Sequence, residues 1–151
     1  MEDLTLGDIF DQIAAFEDRI ARYYASIRDE SADNKAKLLS YHLSRHRQHQ
    51  QQGFAEMDAG EQDEIRQTRL EADAPFDLEK SFRFLDPRSE SCTAEALLKD
   101  AGRHGRKLID FYTKLCRQDL PEKARNVLET LIRVEERALI AIKKMMQMDY
   151  F

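Results

Sequence analysis

Four long stretches of this sequence carry apolar residues at alternating spacings of three and four. This spacing places apolar side chains on one face of an α-helix, where they can pack against neighbouring helices. The chain has only five glycines and three prolines, and Pro75, Pro87 and Pro121 all lie outside the periodic stretches. Patterns typical of strands are absent from the sequence. We therefore predict an all-α protein.

The periodic stretches predict four helices at about residues 4–29, 33–58, 92–118 and 122–149, in a single domain that spans residues 1–151. Thr5 or Asp3 can cap the first helix, and Pro121 suits the start of the fourth. The less regular 58–91 segment is long enough to cross the full length of a bundle. Such a crossover would make the second and third helices parallel to each other.

The charge and cysteine content exclude several classes of protein. The formal net charge is -5 and the two signs are mixed along the chain, so we do not expect a nucleic-acid partner. No apolar run approaches the ~20 residues that cross a bilayer, and the N-terminal residues are acidic, so we expect neither a membrane span nor a secretory signal. Cys92 and Cys116 are too few for a disulfide framework. We expect a cytoplasmic protein.

An ionisable residue interrupts the apolar face of each predicted helix near its midpoint. These residues are Glu17, His46, His104 and Glu135. His49 lies beside His46, because residues three apart are neighbours on a helix surface. A buried carboxylate is costly unless it is paired, and the core of a bundle is where side chains of facing helices build metal and cofactor sites. The sequence therefore predicts that acidic and imidazole groups meet at mid-depth.

This predicted meeting point suits one transition-metal ion. His46 and His49 offer nitrogen and Glu17 and Glu135 offer carboxylate oxygen, a set that fits iron, manganese, zinc or nickel, with iron and zinc expected first. His104 is a candidate additional ligand, and its alternative is a hydrogen-bonded histidine of the core. The whole group also has a metal-free alternative, in which the carboxylates pair with protonated histidines in a buried polar cluster.

The layout resembles the ferritin-like, rubrerythrin-type four-helix bundle over nearly the whole chain. In that family a Glu on the first and third helices and Glu-x-x-His on the second and fourth bind two irons. Three residues match these positions, namely Glu17 in AAFEDRIARYY, His49 in SRHRQHQQ and Glu135 in LIRVEERALIAI. The resemblance implies the ferritin-like fold, a homodimer, and a role in iron or oxidative-stress chemistry.

Three other positions depart from the family pattern. His46 stands where the second-helix glutamate is expected, Gly105 stands at the third-helix glutamate, and Ala138 stands at the fourth-helix histidine. The resemblance, with these departures, therefore implies an altered site with a single metal ion and not a full di-iron centre. Gly105 and Ala138 would leave an open side for water or a small molecule.

A metal-free scaffold or interaction protein is the alternative class of function. Its partner surface would include residues of the crossover or of the C-terminus, because exposed apolar patches mark partner surfaces. The candidates are Phe76, Phe82 and Phe84, and Met145, Met146, Met148, Tyr150 and Phe151. Either group could equally belong to the packed core. The sequence names no substrate, so it assigns no enzymatic activity.

Overall fold

The structure is a computed structural model that describes residues 4–55, 59–70, 80 and 82–147. Most of these residues lie in helices, and the described part of the chain contains no strand, only an isolated bridge between Thr5 and Arg69. The helices that position the site are α1 (Leu6–Glu30), α2 (Asn34–Ala55), α3 (Ala59–Arg66), α4 (Ala94–Cys116) and α5 (Glu122–Gln147). The predicted all-α class is confirmed.

Side-chain caps set the helix starts slightly inside the predicted bounds. Thr5 and Asp8 form a capping box, in which the Asp8 backbone N–H donates to Thr5 Oγ1 at 3.2 Å and the Thr5 N–H donates to Asp8 Oδ2 at 3.1 Å. Thr93 caps α4 by accepting from the Ala96 N–H at 3.1 Å. The helices therefore begin at residues 6 and 94, not at 4 and 92, because a capping residue is itself not helical. The predicted ends at 58 and 149 lie outside the described residues.

The long helices form two antiparallel hairpins. A short link at residues 31–33 joins α1 to α2, and residues 117–121 join α4 to α5. Short connections of this kind hold consecutive helices side by side. The most extensive interhelical packing is within these two pairs, and α2 also packs against α4.

The chain between the hairpins runs from one end of α1 towards the other. Before the crossing, the Leu70 N–H donates to the Leu4 carbonyl at 3.0 Å. After it, the ring centroids of Phe82 and Phe84 lie 5.7 and 5.3 Å from that of Tyr23. As a result α2 and α4 run in the same direction. Residues 71–79, including Phe76, lie outside the described part.

The two aromatic residues after the crossing do not form an exposed partner surface. Phe82 is buried in the core, and Phe84 is partly buried against the same cluster. Met145 also packs against this cluster, whereas residues 148–151 lie outside the description. Of the two alternatives for Phe82, core packing is therefore confirmed, and its ring contacts those of Tyr23 on α1 and His104 on α4.

A polar layer divides the apolar core into two clusters. One cluster includes Ile20, Leu39 and Leu97, and the other includes Phe10, Leu108 and Leu128, each together with further buried residues. Along each of α1, α4 and α5, a buried ionisable residue stands between the members of the two clusters. The candidate site is this layer.

Candidate functional site

Three of the predicted site residues meet in the polar layer. Glu17 of α1, His104 of α4 and Glu135 of α5 are all buried. His104 Nε2 lies 3.2 Å from Glu17 Oε1. The side chains of His46 and His49 are outside the described part of α2, so their role as ligands stays a prediction.

The residue that connects the layer is Arg47, which the sequence did not single out. Its Nη1 donates to Glu17 Oε1 at 3.2 Å and to Glu135 Oε1 at 2.8 Å. The guanidinium is itself buried, with 9% of the residue exposed. Charge-assisted hydrogen bonds between buried groups are the strong ones. Arg47 therefore holds together two carboxylates that would otherwise repel each other.

Two series of residues on α2 follow the spacing of three and four: Leu39, His42 and the predicted ligands His46 and His49 form one, and Ala36, Leu39, Leu43 and Arg47 form the other. Ala36, Leu39, Leu43 and Arg47 are buried, whereas His42 is exposed. Both series follow the spacing of three and four, so periodicity alone does not separate them. The signal that could have identified Arg47 is chemical: two unpaired carboxylates on other helices need a cation, and arginine is the residue suited to buried ion pairs.

Burial and Arg47 act in opposite directions on the two glutamates. Burial disfavours the charged form of Glu17, but Arg47 and the His104 hydrogen bond outweigh it, and the pKa of Glu17 is lowered. Burial also disfavours the charged form of Glu135. Here burial and the negative charge of Glu17 outweigh the effect of Arg47, so the pKa of Glu135 is raised. The two carboxyl groups therefore have different tendencies to hold a proton.

His104 is held in its neutral form. Burial lowers the pKa of its imidazole, and Arg47 lowers it further, against the opposing effect of Glu17. An ionised Glu17 oxygen can only accept a hydrogen bond, so the neutral ring carries its proton on Nε2 and donates it to Glu17. Burial acts to lower the pKa of the Arg47 guanidinium, but the two carboxylates outweigh it, so this pKa is raised.

The second oxygen of each glutamate is not satisfied. Glu17 Oε2 and Glu135 Oε2 are buried and accept no hydrogen bond from any residue that the structure describes. A buried acceptor without a donor costs about 1–3 kcal/mol. The layer can therefore accept further hydrogen bonds from a donor or a cation.

A pocket of about 460 Å³ opens onto this layer from between α1 and α5. Its walls are mainly apolar and include Phe10, Ile13, Leu131 and Val134. Polar groups line the rest of the pocket, and they belong to Asp11, Glu17, Asp18, Arg47, Arg66, Tyr112 and Glu135.

The opening is not at Gly105 and Ala138, where the sequence suggested it. A Cβ atom on Gly105 would lie 3.2 Å from Leu139 Cδ2 and 3.6 Å from Glu135 Oε2, so Leu139 already fills the space of the missing side chain. Ala138 is buried. The absence of a large side chain at Gly105 is used for packing between α4 and α5.

The described residues do not fit a metal ion with Arg47 in this position. They contain no group of three or more His, Cys, Asp or Glu side chains that could hold one. Glu17 and Glu135 each use one oxygen to bind the guanidinium, which stays protonated in proteins. An ion between the two carboxylates would have to displace this permanent positive charge.

Comparisons of the chain with protein-family models, with curated proteins and with solved structures gave no match in any of the three. The ferritin-like resemblance therefore stays a prediction from the residues of this chain. Within the described residues, no helix combines the length and the apolar character that a membrane span requires.

Proposed function

We propose that this chain is a ferritin-like four-helix bundle protein that works without a metal centre, as a binding protein with a central charged layer. The observation that carries the proposal is the bridge from Arg47 Nη1 to Glu17 Oε1 and Glu135 Oε1, at 3.2 and 2.8 Å. The positive charge that metal ions supply in the family is supplied here by the chain itself.

The directions of the long helices support the ferritin-like part of the proposal. α1 and α5 run one way, α2 and α4 run the other way, and one long connection joins the two hairpins. A single long crossover is a feature of ferritin-like bundles. The mid-depth position of Glu17 and Glu135 is a second point of agreement with the family pattern.

A single transition-metal ion held by Glu17, His46, His49 and Glu135, with His104 as an additional ligand, is the second candidate. Two observations favour it: Glu17 Oε2 and Glu135 Oε2 have no donor among the described residues, and His104 already contacts Glu17. In this alternative the ion would bind the free oxygens, and Arg47 would move aside or remain as a neighbour.

Elemental analysis separates the two candidates. The untagged protein is produced in medium supplemented with iron, manganese, zinc and nickel, and its metal content is measured per chain without chelator treatment. The metal-free proposal expects a content well below one ion per chain for every metal. A content near one ion contradicts it and supports the second candidate, and a content near two supports a complete two-iron centre.

We further propose that the protein is a cytoplasmic homodimer. Leu38 and Tyr41 are large apolar side chains with about half of their surface exposed. They are three residues apart and therefore neighbours on the surface of α2, and a contiguous exposed apolar patch is suited to an interface. Ile140 of α5 is similarly exposed. Light scattering coupled to size exclusion tests the dimer, and fractionation of the producing cells tests the compartment. A mass of one chain at micromolar concentration would contradict the dimer.

A further inference from the structure

The pocket between α1 and α5 has the chemistry of a binding site for an organic cation. We propose that it binds a small ammonium compound with an apolar body, with the ammonium group at Glu17 and Glu135 and the apolar body between the two helices. The inference rests on the proposed metal-free function, because a metal ion at the same oxygens would compete with the ammonium group.

Charge favours a cation in this pocket. Its lining includes four carboxyl groups and two guanidinium groups. Arg66 is paired with Asp11 at 2.8 Å, and Arg22 is paired with Asp18 at 3.4 Å, so these two pairs contribute no net charge. Arg47 is shared between Glu17 and Glu135, and one guanidinium cannot neutralise two ionised carboxylates. A carboxylate or phosphate ligand would meet a surplus of like charge, whereas an ammonium ion completes the balance.

The unsatisfied polar atoms of the pocket are acceptors. Glu17 and Glu135 are 6% and 5% exposed, and the Oε2 atom of each has no hydrogen-bond donor among the described residues. An ammonium group has three donors and no acceptor, so it matches these atoms. A neutral alcohol offers one donor only and would leave at least one buried oxygen unsatisfied.

Tyr112 adds a further polar group to the same wall. Its side chain is buried and lines the pocket. Burial raises the pKa of the Tyr112 hydroxyl, and the two glutamates raise it further, so the hydroxyl stays neutral. A neutral hydroxyl can both donate and accept, so it can accept from the ammonium group.

The rest of the pocket sets the size and polarity of the ligand. A volume of about 460 Å³ lies in the range of small-molecule sites, which are mostly apolar with a few polar groups that fix orientation. Phe10, Ile13, Leu131 and Val134 form such an apolar wall. A compound with a hydrocarbon or aromatic body and a single ammonium group fits both the apolar wall and the two glutamates.

Calorimetric titration of the full chain, dialysed against EDTA, tests the proposal at pH 7. The probes are 2-phenylethylamine and hexylamine, each with the alcohol and the carboxylate of matched length. We expect both amines to bind at least about tenfold more tightly than the matched alcohols, since hydrogen bonds to charged groups are worth about 1.5–3 kcal/mol. The carboxylates should not bind.

Two variants assign the binding to the pocket. Glu135→Gln removes one charge and Tyr112→Phe removes the hydroxyl while it keeps the ring, and each should weaken amine binding at least about threefold. Glu136→Gln is the matched control, because Glu136 is the exposed neighbour on the same helix and the charge change is the same. It should leave the amine affinity unchanged.

Three outcomes would overturn the inference: neither amine binds, the alcohols bind as tightly as the amines, or the control weakens binding as much as both pocket variants. If Glu135→Gln does not fold, the comparison of Tyr112→Phe with Glu136→Gln decides. Metal content is measured separately on protein without EDTA treatment. Failure of amine binding in protein that carries no metal therefore contradicts the inference alone, whereas bound metal contradicts the proposed function.

Discussion

Arg47 and Glu135, 88 residues apart in the sequence, form the shorter of the two central ion pairs, with 2.8 Å between Nη1 and Oε1. Both side chains are almost completely removed from solvent. A buried pair of this kind is weak evidence for a gain in stability, because the cost of removing two charges from water is large. We expect the pair to contribute to specificity instead, because either partner alone would be a buried, uncompensated charge.

The need of each buried charge for its partner constrains how the helices pack against one another. Arg47 belongs to α2 and its two partners belong to α1 and α5, so the correct depth and rotation of three helices are needed for one guanidinium to be satisfied. The apolar clusters on either side tolerate small shifts more easily, since their contacts are not directional. We expect the polar layer to set the register of the bundle.

Replacement of Arg47 should destabilise the protein strongly. In Arg47→Met the apolar stem is kept, but Glu17 and Glu135 become a buried pair of like charges, and loss of one partner of a buried ion pair costs about 3–5 kcal/mol. Urea unfolding at pH 7 measures the loss. Arg45→Met is the matched control, because Arg45 is exposed on the same helix, and a change within about 0.5 kcal/mol is expected there.

The loss of stability caused by Arg47→Met should become smaller as the pH is lowered. Without the guanidinium, burial and mutual repulsion favour protonation of both carboxyl groups, so the folded variant binds protons that the unfolded chain has not yet bound. Its stability relative to wild type should therefore rise as the pH falls from 7 to 5. A constant difference over this range would show that the two carboxylates are not the cause.

Removal of the charges that Arg47 balances should restore stability. The triple variant Arg47→Met, Glu17→Gln, Glu135→Gln carries no charge on these three side chains. We expect it to be more stable than Arg47→Met alone by about 2 kcal/mol or more, because it no longer buries uncompensated charges and the effects of substitutions within one network are not additive. Urea unfolding of the two variants at pH 7 makes the comparison. Equal stability would mean that Arg47 acts mainly through packing.

The sequence was sufficient for the features that depend on local chemistry. It offers Thr5 or Asp3 as the first cap, and Thr5 is the cap. It also predicts that Glu17, His104 and Glu135 lie at mid-depth, because each interrupts an apolar face. The rotation of α2 was not determined locally, since its polar run SRHRQHQQ allows more than one inward face. The choice of Arg47 depends on carboxylates 30 and 88 residues away in the sequence, and no local pattern encodes that distance.

His104 should make the protein less stable in mild acid. Burial and the charge of Arg47 lower the pKa of its imidazole, whereas in the unfolded chain the histidine pKa returns to about 6.5. The unfolded state therefore binds more protons in the window below about pH 6.5, and the free energy of unfolding falls there as the pH decreases.

His104→Gln should lack this loss. Its unfolding free energy relative to wild type should improve between pH 7 and pH 5, although it is lower at pH 7 because the hydrogen bond to Glu17 is weakened. Glu135, whose raised pKa has the opposite effect on stability, is present in both proteins and largely cancels. His42→Gln is the control, because His42 is exposed, and a parallel change in that variant would contradict the assignment to His104.

Gly7 should not tolerate a side chain. A Cβ atom there would lie 2.9 Å from the Arg66 carbonyl oxygen at the end of α3, and backbone cannot move aside as a flexible side chain does. Gly7→Ala should cost about 1–3 kcal/mol by urea unfolding. Gly102→Ala is the control, because the nearest atom is the flexible end of Arg106 at 3.3 Å, and helix propensity favours alanine by up to about 1 kcal/mol.

Arg47 also determines whether the layer can hold a metal ion. In their present positions Glu17, His104 and Glu135 do not form a group that could hold a metal ion. Without the guanidinium their side chains can move closer together, and two carboxylates with one imidazole are a set suited to zinc, iron(II) or manganese. We therefore expect Arg47→Met to bind about one zinc ion per chain in calorimetry and to be stabilised by it, because a ligand that binds only the folded state raises its stability. Arg47→Lys keeps a positive charge and should bind none. Zinc binding by the wild type that equals that of Arg47→Met would contradict this explanation, because it would mean that the guanidinium does not occupy the place of the ion.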